Sequence, residues 1–282
     1  MEPIARVLEG TLDDQEVSIR GWVYRTRSSG SLAFVTVRDA TGVIQAVASK
    51  KDMDGEQFNA LERALVESSV EVTGRVNVDE RAPGGRELHV SSARVVHAAE
   101  DFPIYKDRSE EYLLDVRHLW LRSQEMVATL KLRSTVISAL RDFYLGEGYY
   151  ESQGPMFVGG QVEGGSTLFE VPYYDRKVYL TQSSQLYLEA LIFGLEKVFT
   201  LAPSFRAERS RTRRHLSEYW HFEIETAWVD NDGMMDIEEG TIRYVAERVL
   251  ADRGPELEVL GRDVDALEAV SAGNFQECYN DA

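Results

Sequence analysis

The sequence is poor in cysteine and has no long apolar run. Its single cysteine, Cys278, cannot form an internal disulfide and has no CxxC partner with which to hold zinc. No stretch approaches the roughly 20 apolar residues that span a bilayer, and the N-terminus has no basic start followed by an apolar segment. These absences argue against a redox protein, a structural zinc protein and a membrane protein, and a soluble, cytosolic protein is expected.

Lysine is also scarce, in a chain that is strongly acidic. The 282 residues carry 48 acidic and 31 basic side chains, a net charge of −17, and only six of the basic residues are lysine while 25 are arginine. This charge repels nucleic acid at long range, so any nucleic-acid contact must depend on local charge. An acidic, lysine-poor surface is typical of salt-rich cytosols, where screening shortens the repulsion. Compositional drift toward arginine codons explains it equally well.

The first hundred residues predict a small β-barrel. Residues 17–48 alternate apolar and polar side chains and are interrupted by SSGS and DATG, which indicates three strands joined by two turns. A helix-like piece at 57–66 precedes two more alternating runs, SVEVTGRVNV and ELHVSSARVV. Five strands with a helix after the third are typical of an OB-fold barrel.

The remaining residues predict a second domain of mixed helices and strands, which the length and 43% hydrophobic content allow. Residues 101–121 are charged and contain Pro103, so we place a hinge there, between a first domain at 1–100 and a second at 122–282. The predicted fold class is α+β, with an antiparallel sheet flanked by helices. The expected elements are a long helix capped by Ser123, a strand at 149–157, helices at 183–198 and about 234–253, and two strands around the segment RSRTRR.

The most informative segment is FRAERSRTRRHLSEYWHFEIE, residues 205–225, with five arginines within nine positions between two apolar strands. A basic loop on a rigid hairpin suits phosphate, because arginine presents a planar fork of donors. A solvated charged face explains the same run. Downstream, His221, Glu223 and Glu225 fall on one face of a strand. That row is a solvated face, a carboxylate pair of the glycosidase kind, or part of a binding site.

Several strings resemble one enzyme family. FRAE, a short basic loop, RHL and an aromatic residue before acidic strand positions resemble motif 2 of the class II aminoacyl-tRNA synthetases. LYLEALIFGLEKV and WHFE resemble the archaeal-type asparaginyl branch of the aspartyl and asparaginyl subclass. GYYESQGPMF resembles motif 1, with Pro155 where that family builds its dimer interface, and GSLAFVTVRDATGVIQAV resembles the anticodon-binding OB-fold barrel. The resemblance covers nearly the whole chain and implies a class II antiparallel-sheet domain after the barrel.

The resemblance implies an asparagine–tRNA ligase. In that family, the carboxylate of asparagine attacks the α-phosphorus of ATP to form asparaginyl-adenylate, and a terminal hydroxyl of tRNA(Asn) then takes the acyl group. The protein supplies position and charge rather than a nucleophile. The implied partners are tRNA(Asn), L-asparagine and ATP with Mg2+, and a second copy of the chain in a homodimer.

The resemblance also implies roles for individual residues. Arg206 would bridge the amino-acid carboxylate and the α-phosphate, and Glu208 would meet the adenine side or the tRNA end. Glu223 would face the amino acid, where a carboxylate accepts from an amide but repels a second carboxylate. The other implied residues are Arg214 and His215 at the γ-phosphate, Tyr219 on adenine, Glu163 of the substrate-covering loop at the ammonium group, Ser183 and Gln185 lining the amino-acid pocket, and Arg25, Arg27, Phe34 and Gln45 at the anticodon.

Simpler roles remain open for some of these residues. Ser183 lies where a helix N-cap is expected. Phe34 suits the barrel core, and Gln45 suits a solvent-facing position. The loop around Glu163 suits a generic glycine-rich turn.

Nothing in the chain resembles motif 3, which in that family supplies another arginine for the γ-phosphate and part of the adenine pocket. The magnesium-binding acids also lie in that later part. A fragment with an unpaired sheet edge is therefore expected, and the 282 residues alone are not expected to catalyse the reaction. Two other functions stay open. WHFE argues against a relaxed aspartyl enzyme that charges both tRNAs, and the missing motif 3 favours a noncatalytic tRNA-binding paralogue.

Overall fold

The computed structural model describes residues 1–104, 108–160, 167–208, 215–273 and 275. The chain divides into two compact units, Met1–Arg117 and His118–Ala282. Within the described part of the chain, no helix combines the length and apolar character needed to cross a membrane. The domain boundaries at residues 100 and 121 stay predictions.

The first unit is a closed five-stranded barrel with the strand order β1-β2-β3-β5-β4. The alternating pattern places one set of side chains, mostly valine, isoleucine and alanine, in the barrel interior. The five predicted strands and the helix after the third are confirmed. The elements are α1 Ile4–Leu8, β1 Glu16–Ser29, β2 Leu32–Arg38, β3 Val43–Ser49, α2 Gly55–Glu62, β4 Ser69–Val78, a short 3-10 turn at Pro83–Gly85, and β5 Arg86–His97.

Strand β4 closes the barrel, because it pairs with both β1 and β5. The register of β4 against β5 shifts between Thr73 and Gly74. A Cβ atom on Gly74 would lie 2.2 Å from the carbonyl oxygen of His89. The two backbones approach closely at this irregularity, as they often do where a barrel strand bends.

The second unit contains one long helical layer and two small sheets, with strand orders β11-β10-β6 and β7-β9-β8. Ser123 caps the first long helix, because its hydroxyl accepts from the backbone N–H of Met126 at 3.3 Å. The elements from residue 110 onward are α3 Glu110–Asp115, α4 Arg117–Trp120, α5 Gln124–Gly146, β6 Tyr150–Glu151, β7 Phe157–Val158, β8 Glu170–Tyr173, β9 Arg176–Leu180, α6 Gln185–Leu195, β10 Lys197–Phe205, β11 Glu218–Thr226, α7 Asn231–Asp252, α8 Gly254–Val259 and α9 Asp265–Ser271.

Several details of this unit differ from the sequence-based expectation, and helices α8 and α9 were not expected. The single strand expected at 149–157 is two short strands, β6 and β7, because the chain leaves the sheet of β10 after Glu151 and joins the sheet of β9 at Phe157. β6 lies parallel to β10, so the sheet is mixed, although β10 and β11 are antiparallel as expected. Helix α6 ends at Leu195, since Glu196 adopts φ +61° and β10 begins directly after it.

An aromatic cluster forms the core between the sheet and helix α5. The ring of Tyr144 lies 5.6 Å from that of Phe199, 5.1 Å from that of Phe222 and 4.9 Å from that of Tyr149, measured between centroids. Phe199 and Phe222 come from β10 and β11, and they occupy the face of the hairpin turned toward the helices. The opposite face of the same two strands is therefore left for other contacts.

Candidate functional site

The face of the β10–β11 hairpin opposite the aromatic core carries a row of polar side chains. Strand β11 places Tyr219, His221, Glu223 and Glu225 on this face, as the period-two pattern predicted. The expected solvated face is wrong for Glu223, whose side chain is only 11% exposed. The hairpin thus presents a partly enclosed polar floor.

Glu223 is held at the start of helix α6. The hydroxyl of Ser183 donates to its Oε1, and the backbone N–H of Ser184 donates to Oε1 and Oε2 at 3.2 Å and 3.0 Å. The first N–H groups of a helix have no partner within the helix and favour an anion. The carboxylate is therefore fixed in position, with further acceptor capacity on its oxygens.

His221 lies beside this carboxylate. Its Nδ1 is 3.5 Å from Oε2 of Glu223, and it is 3.3 Å from Oγ of Ser204 on β10. The ring of Tyr219 lies 5.5 Å from that of His221. The polar side chains of the two strands therefore form one continuous surface.

The predicted motif 2 residues lie at the other end of this floor. Arg206 follows β10 directly, and its guanidinium carbon is 6.0 Å from the centroid of the Tyr219 ring. Glu223 lies four positions along the strand from Tyr219, a span of about 13 Å. The floor thus runs from a cation at one end to carboxylates at the other, which suits an elongated ligand with an anionic group and an amide or ammonium group.

The structure gives different positions to the remaining residues of the predicted site. Glu208 and His215 are exposed, on either side of residues 209–214. The hydroxyl of Ser183 contacts Glu223 and also accepts from the N–H of Gln185 at 3.0 Å, but the N-cap of α6 is Ser184, so the N-cap expected at Ser183 is wrong. Gln185 is exposed and donates to Glu189 at 2.9 Å. Glu163 and Arg214 lie outside the described residues.

Glu225 continues the floor toward helix α6. Burial raises the pKa of its carboxyl group, and the negative charge of Glu189 on α6 raises this pKa further. A folded-state pKa above the unfolded value means that the native state binds this proton more tightly. The stabilising contribution is complete below the ordinary glutamate pKa and is lost as the pH rises through the raised value.

Replacement of Glu225 by glutamine should therefore increase stability at neutral pH. The expected gain at pH 7 is on the order of 0.5 kcal/mol, because the like-charge contact disappears, and it should vanish below about pH 4. Chemical denaturation of Glu225→Gln across this pH range measures the effect. Glu218→Gln, at the exposed start of the same strand, is the matched control. Equal pH dependence in the two variants would contradict the assignment.

The predicted anticodon residues share the outer face of the barrel. Arg27 on β1 lies opposite Phe34 on β2, with its guanidinium carbon 4.6 Å from the ring centroid, and Arg25 lies opposite Thr36. Phe34 is partly buried and belongs to this outer face, so the expectation of a core phenylalanine is wrong. An aromatic ring beside arginines is a surface on which a nucleic-acid base can stack.

Gln45 also lies on this outer face, and it contacts a residue that the sequence did not single out. Its Nε2 donates to Oε2 of Glu87 at 2.9 Å, and Oε1 of Glu87 is 2.8 Å from Nε2 of His89. These contacts orient the Gln45 amide. Glu87 was missed because it meets Gln45 only through the parallel pairing of β3 with β5, which local patterns do not reveal.

The described residues do not offer a ready metal site. No group of three histidine, cysteine, aspartate or glutamate side chains within the described ranges converges as metal ligands. The Mg2+ that the resemblance implies therefore has no fitting site among these residues.

Comparisons with known proteins match this architecture. The family model for tRNA synthetases class II (D, K and N) matches residues 109–278, and that for the OB-fold nucleic acid binding domain matches residues 17–96. The chain is 52% identical to the asparagine–tRNA ligase of Thermoplasma acidophilum over 270 residues, which cover 96% of this chain and 63% of that protein.

Solved structures of aminoacyl-tRNA synthetases also superpose on this chain. The asparaginyl-tRNA synthetase from Pyrococcus horikoshii, complexed with asparaginyl-adenylate, superposes with a TM-score of 0.87 at 46% identity, covering 92% of this chain and 60% of the other. A putative aspartyl-tRNA synthetase from Leishmania major superposes with a TM-score of 0.79 at 26% identity, covering 91% and 54%. The chain spans about three fifths of the length of these relatives. It belongs to the class II tRNA synthetases of the D, K and N group.

Proposed function

We propose that the protein is an asparagine–tRNA ligase. Asparagine attacks the α-phosphorus of ATP through its carboxylate, pyrophosphate leaves, and asparaginyl-adenylate forms. A terminal hydroxyl of tRNA(Asn) then attacks the activated carbonyl carbon, and AMP leaves. This reaction needs groups that hold the two substrates in line and stabilise charge, and it needs no nucleophile from the protein.

The fixed carboxylate of Glu223 is the observation that carries this proposal. It accepts from Ser183 and Ser184 and keeps further acceptor capacity for an amide N–H. An aspartate carboxylate at the same place would meet a second negative charge in a site of low exposure. The pocket therefore favours asparagine through attraction to the amide and repulsion of the acid.

Other residues of the polar face and of the barrel are proposed to bind the remaining parts of the substrates. The proposed role of Arg206 is to bridge the amino-acid carboxylate and the α-phosphate, and that of Tyr219, whose ring lies beside the Arg206 guanidinium, is to stack on adenine. The other roles proposed are Glu208 at the adenine side or tRNA end, Arg214 and His215 at the γ-phosphate, Glu163 at the substrate ammonium group, Ser183 and Gln185 along the amino-acid pocket, and Arg25, Arg27, Phe34 and Gln45 at the anticodon. We further propose a cytoplasmic homodimer with motif 1, including Pro155, at its interface.

Amino-acid-dependent pyrophosphate exchange tests the proposed activity. The 282-residue chain and the product of any longer reading frame are compared with asparagine and with aspartate. Exchange with asparagine alone supports the proposal. Exchange with both amino acids indicates the relaxed aspartyl enzyme, and silence in both products indicates a noncatalytic tRNA-binding protein.

Phe34 provides a separate test of the barrel. Phe34→Ala should weaken binding of a tRNA(Asn) anticodon stem-loop by about 5- to 100-fold, since loss of one base stack costs about 1–3 kcal/mol. Fluorescence anisotropy at a fixed salt concentration measures the affinity. Trp22→Ala is the control, because Trp22 is an exposed aromatic residue of β1 that pairs with Arg38, four residues along β2 from Phe34. Equal losses in both variants would argue against stacking on Phe34.

A further inference from the structure

A buried hydroxyl in the polar floor has no hydrogen-bond partner. Thr200 lies on β10 directly opposite Glu223 on β11, and its residue is completely buried. Residues directly opposite on one face of an antiparallel pair have Cβ atoms about 4.5–5.5 Å apart. Within the described residues, Oγ1 of Thr200 contacts no donor or acceptor.

The neighbouring hydroxyl groups, in contrast, have hydrogen-bond partners. Thr181 donates to the carbonyl oxygen of Ser183 at 2.8 Å, Ser183 donates to Glu223, and Ser204 contacts His221. A buried hydroxyl without a partner destabilises the native state, and valine has nearly the same shape without this penalty. The free protein therefore gains nothing from the Thr200 hydroxyl. The same is true of Thr226, but of these two residues only Thr200 lies opposite Glu223, where a bound ligand can change the contacts.

Glu223, directly opposite Thr200, carries the carboxylate that the proposed asparagine amide would engage. In the free protein both of its oxygens share the N–H of Ser184. An asparagine amide would add a donor from the ligand side, in competition with the N–H of Ser184 for the carboxylate oxygens. A donor on the strand side would then keep the carboxylate in its orientation, and the completely buried Thr200 carries a hydroxyl on that side.

We propose that Thr200 is a positioning residue for asparagine recognition: when a bound amide engages Glu223, the Thr200 hydroxyl donates a hydrogen bond to the Glu223 carboxylate. This rests on the proposed function, because it assumes an amide-bearing amino acid in the pocket. Thr200 itself does not touch the ligand.

Two substitutions at Thr200 should move stability and binding in opposite directions. Thr200→Val removes the unpaired hydroxyl, so the Tm of the free protein should rise by about 2–4 °C, while asparagine affinity falls about tenfold. Thr200→Ser keeps the hydroxyl and loses a buried methyl group. Its Tm should fall by about 2 °C, and its asparagine affinity should stay within about twofold.

Thr226 is the matched control. Its Oγ1 is also buried without a partner, and it lies on the same hairpin, but the alternation along β11 places it on the opposite face with Phe222 and Ile224. Thr226→Val should raise the Tm in the same way and leave asparagine affinity unchanged.

Thermal unfolding of the free variants and calorimetric titration of the 282-residue chain with asparagine measure both quantities. The proposal is supported if Thr200→Val raises the Tm and lowers asparagine affinity, while Thr226→Val raises the Tm and leaves asparagine affinity unchanged. Wild-type affinity in Thr200→Val would overturn it, as would equal losses of affinity in Thr200→Val and Thr200→Ser, which would indicate packing alone. If the unsubstituted chain and any longer product both fail to bind asparagine, the proposed function fails and this inference fails with it. If the unsubstituted protein binds asparagine, the affinities of the Thr200 variants test this inference separately from the proposed function.

Discussion

Replacement of Glu223 by alanine is expected to weaken asparagine binding by about 10- to 100-fold, because one charge-assisted hydrogen bond to the ligand amide is lost. The same change removes the acceptor of the Ser184 N–H and of the Ser183 hydroxyl. The free energy of unfolding should therefore also fall, by about 1–2 kcal/mol. Calorimetric titration and denaturant unfolding measure the two effects.

Glu223→Gln distinguishes charge from shape at this position. The glutamine carbonyl oxygen can still accept from an amide, but the repulsion of an aspartate carboxylate disappears. The ratio of aspartate to asparagine affinity should rise, while Glu218→Gln, on the same strand, should leave it unchanged. Unaltered discrimination in Glu223→Gln would remove the main support for an asparagine pocket.

Replacement of Phe199 by alanine should have the largest effect on stability, a loss of about 3–5 kcal/mol. Phe199 is fully buried and stacks against Tyr144 and Phe222, so alanine leaves a cavity that the aromatic cluster cannot fill. Domains have only about 5–15 kcal/mol of stability in total, so much of the second unit's margin would be lost. Near-ultraviolet circular dichroism during thermal unfolding follows this unit through its aromatic signals.

Phe193 supplies the control for this prediction. It lies on α6 and is 92% exposed, so Phe193→Ala removes the same atoms without creating a cavity. Its expected effect is within about 0.5 kcal/mol. Similar losses in the two variants would show that the Tyr144 cluster is not the core of this unit.

Local sequence patterns predicted most elements of both units. The alternation in residues 17–48 indicated three strands, and Ser123 marked the start of the long helix, because both features depend on side chains a few residues apart. The patterns failed at β6 and β7, because the change from one sheet to the other depends on pairing with β10 and β9, which lie further along the chain. Helices α8 and α9 were not predicted, since six and seven residues are too few for a clear helical period.

The sequence alone singled out the side chains to which we propose to assign the chemistry. Glu223 stood out by period two along its strand, and Arg206 through its place in the motif 2 string. The role of Glu87 was invisible, because it meets Gln45 across 42 residues of chain. Glu208 and His215 could be named from the resemblance, but their exposed positions follow only from the way β10 and β11 leave the sheet.

By itself, the sequence determined the five barrel strands, the long helices of the second unit and which residue types line the polar face of β11. Only the tertiary structure decided that the start of α6 holds Glu223, through a contact between Ser183 and Glu223 that spans 40 residues. It also decided that Thr200 lies opposite Glu223 with its hydroxyl unpaired. Periodicity reports which face a side chain occupies. Which element covers that face depends on how distant strands and helices pack, and no local pattern records this.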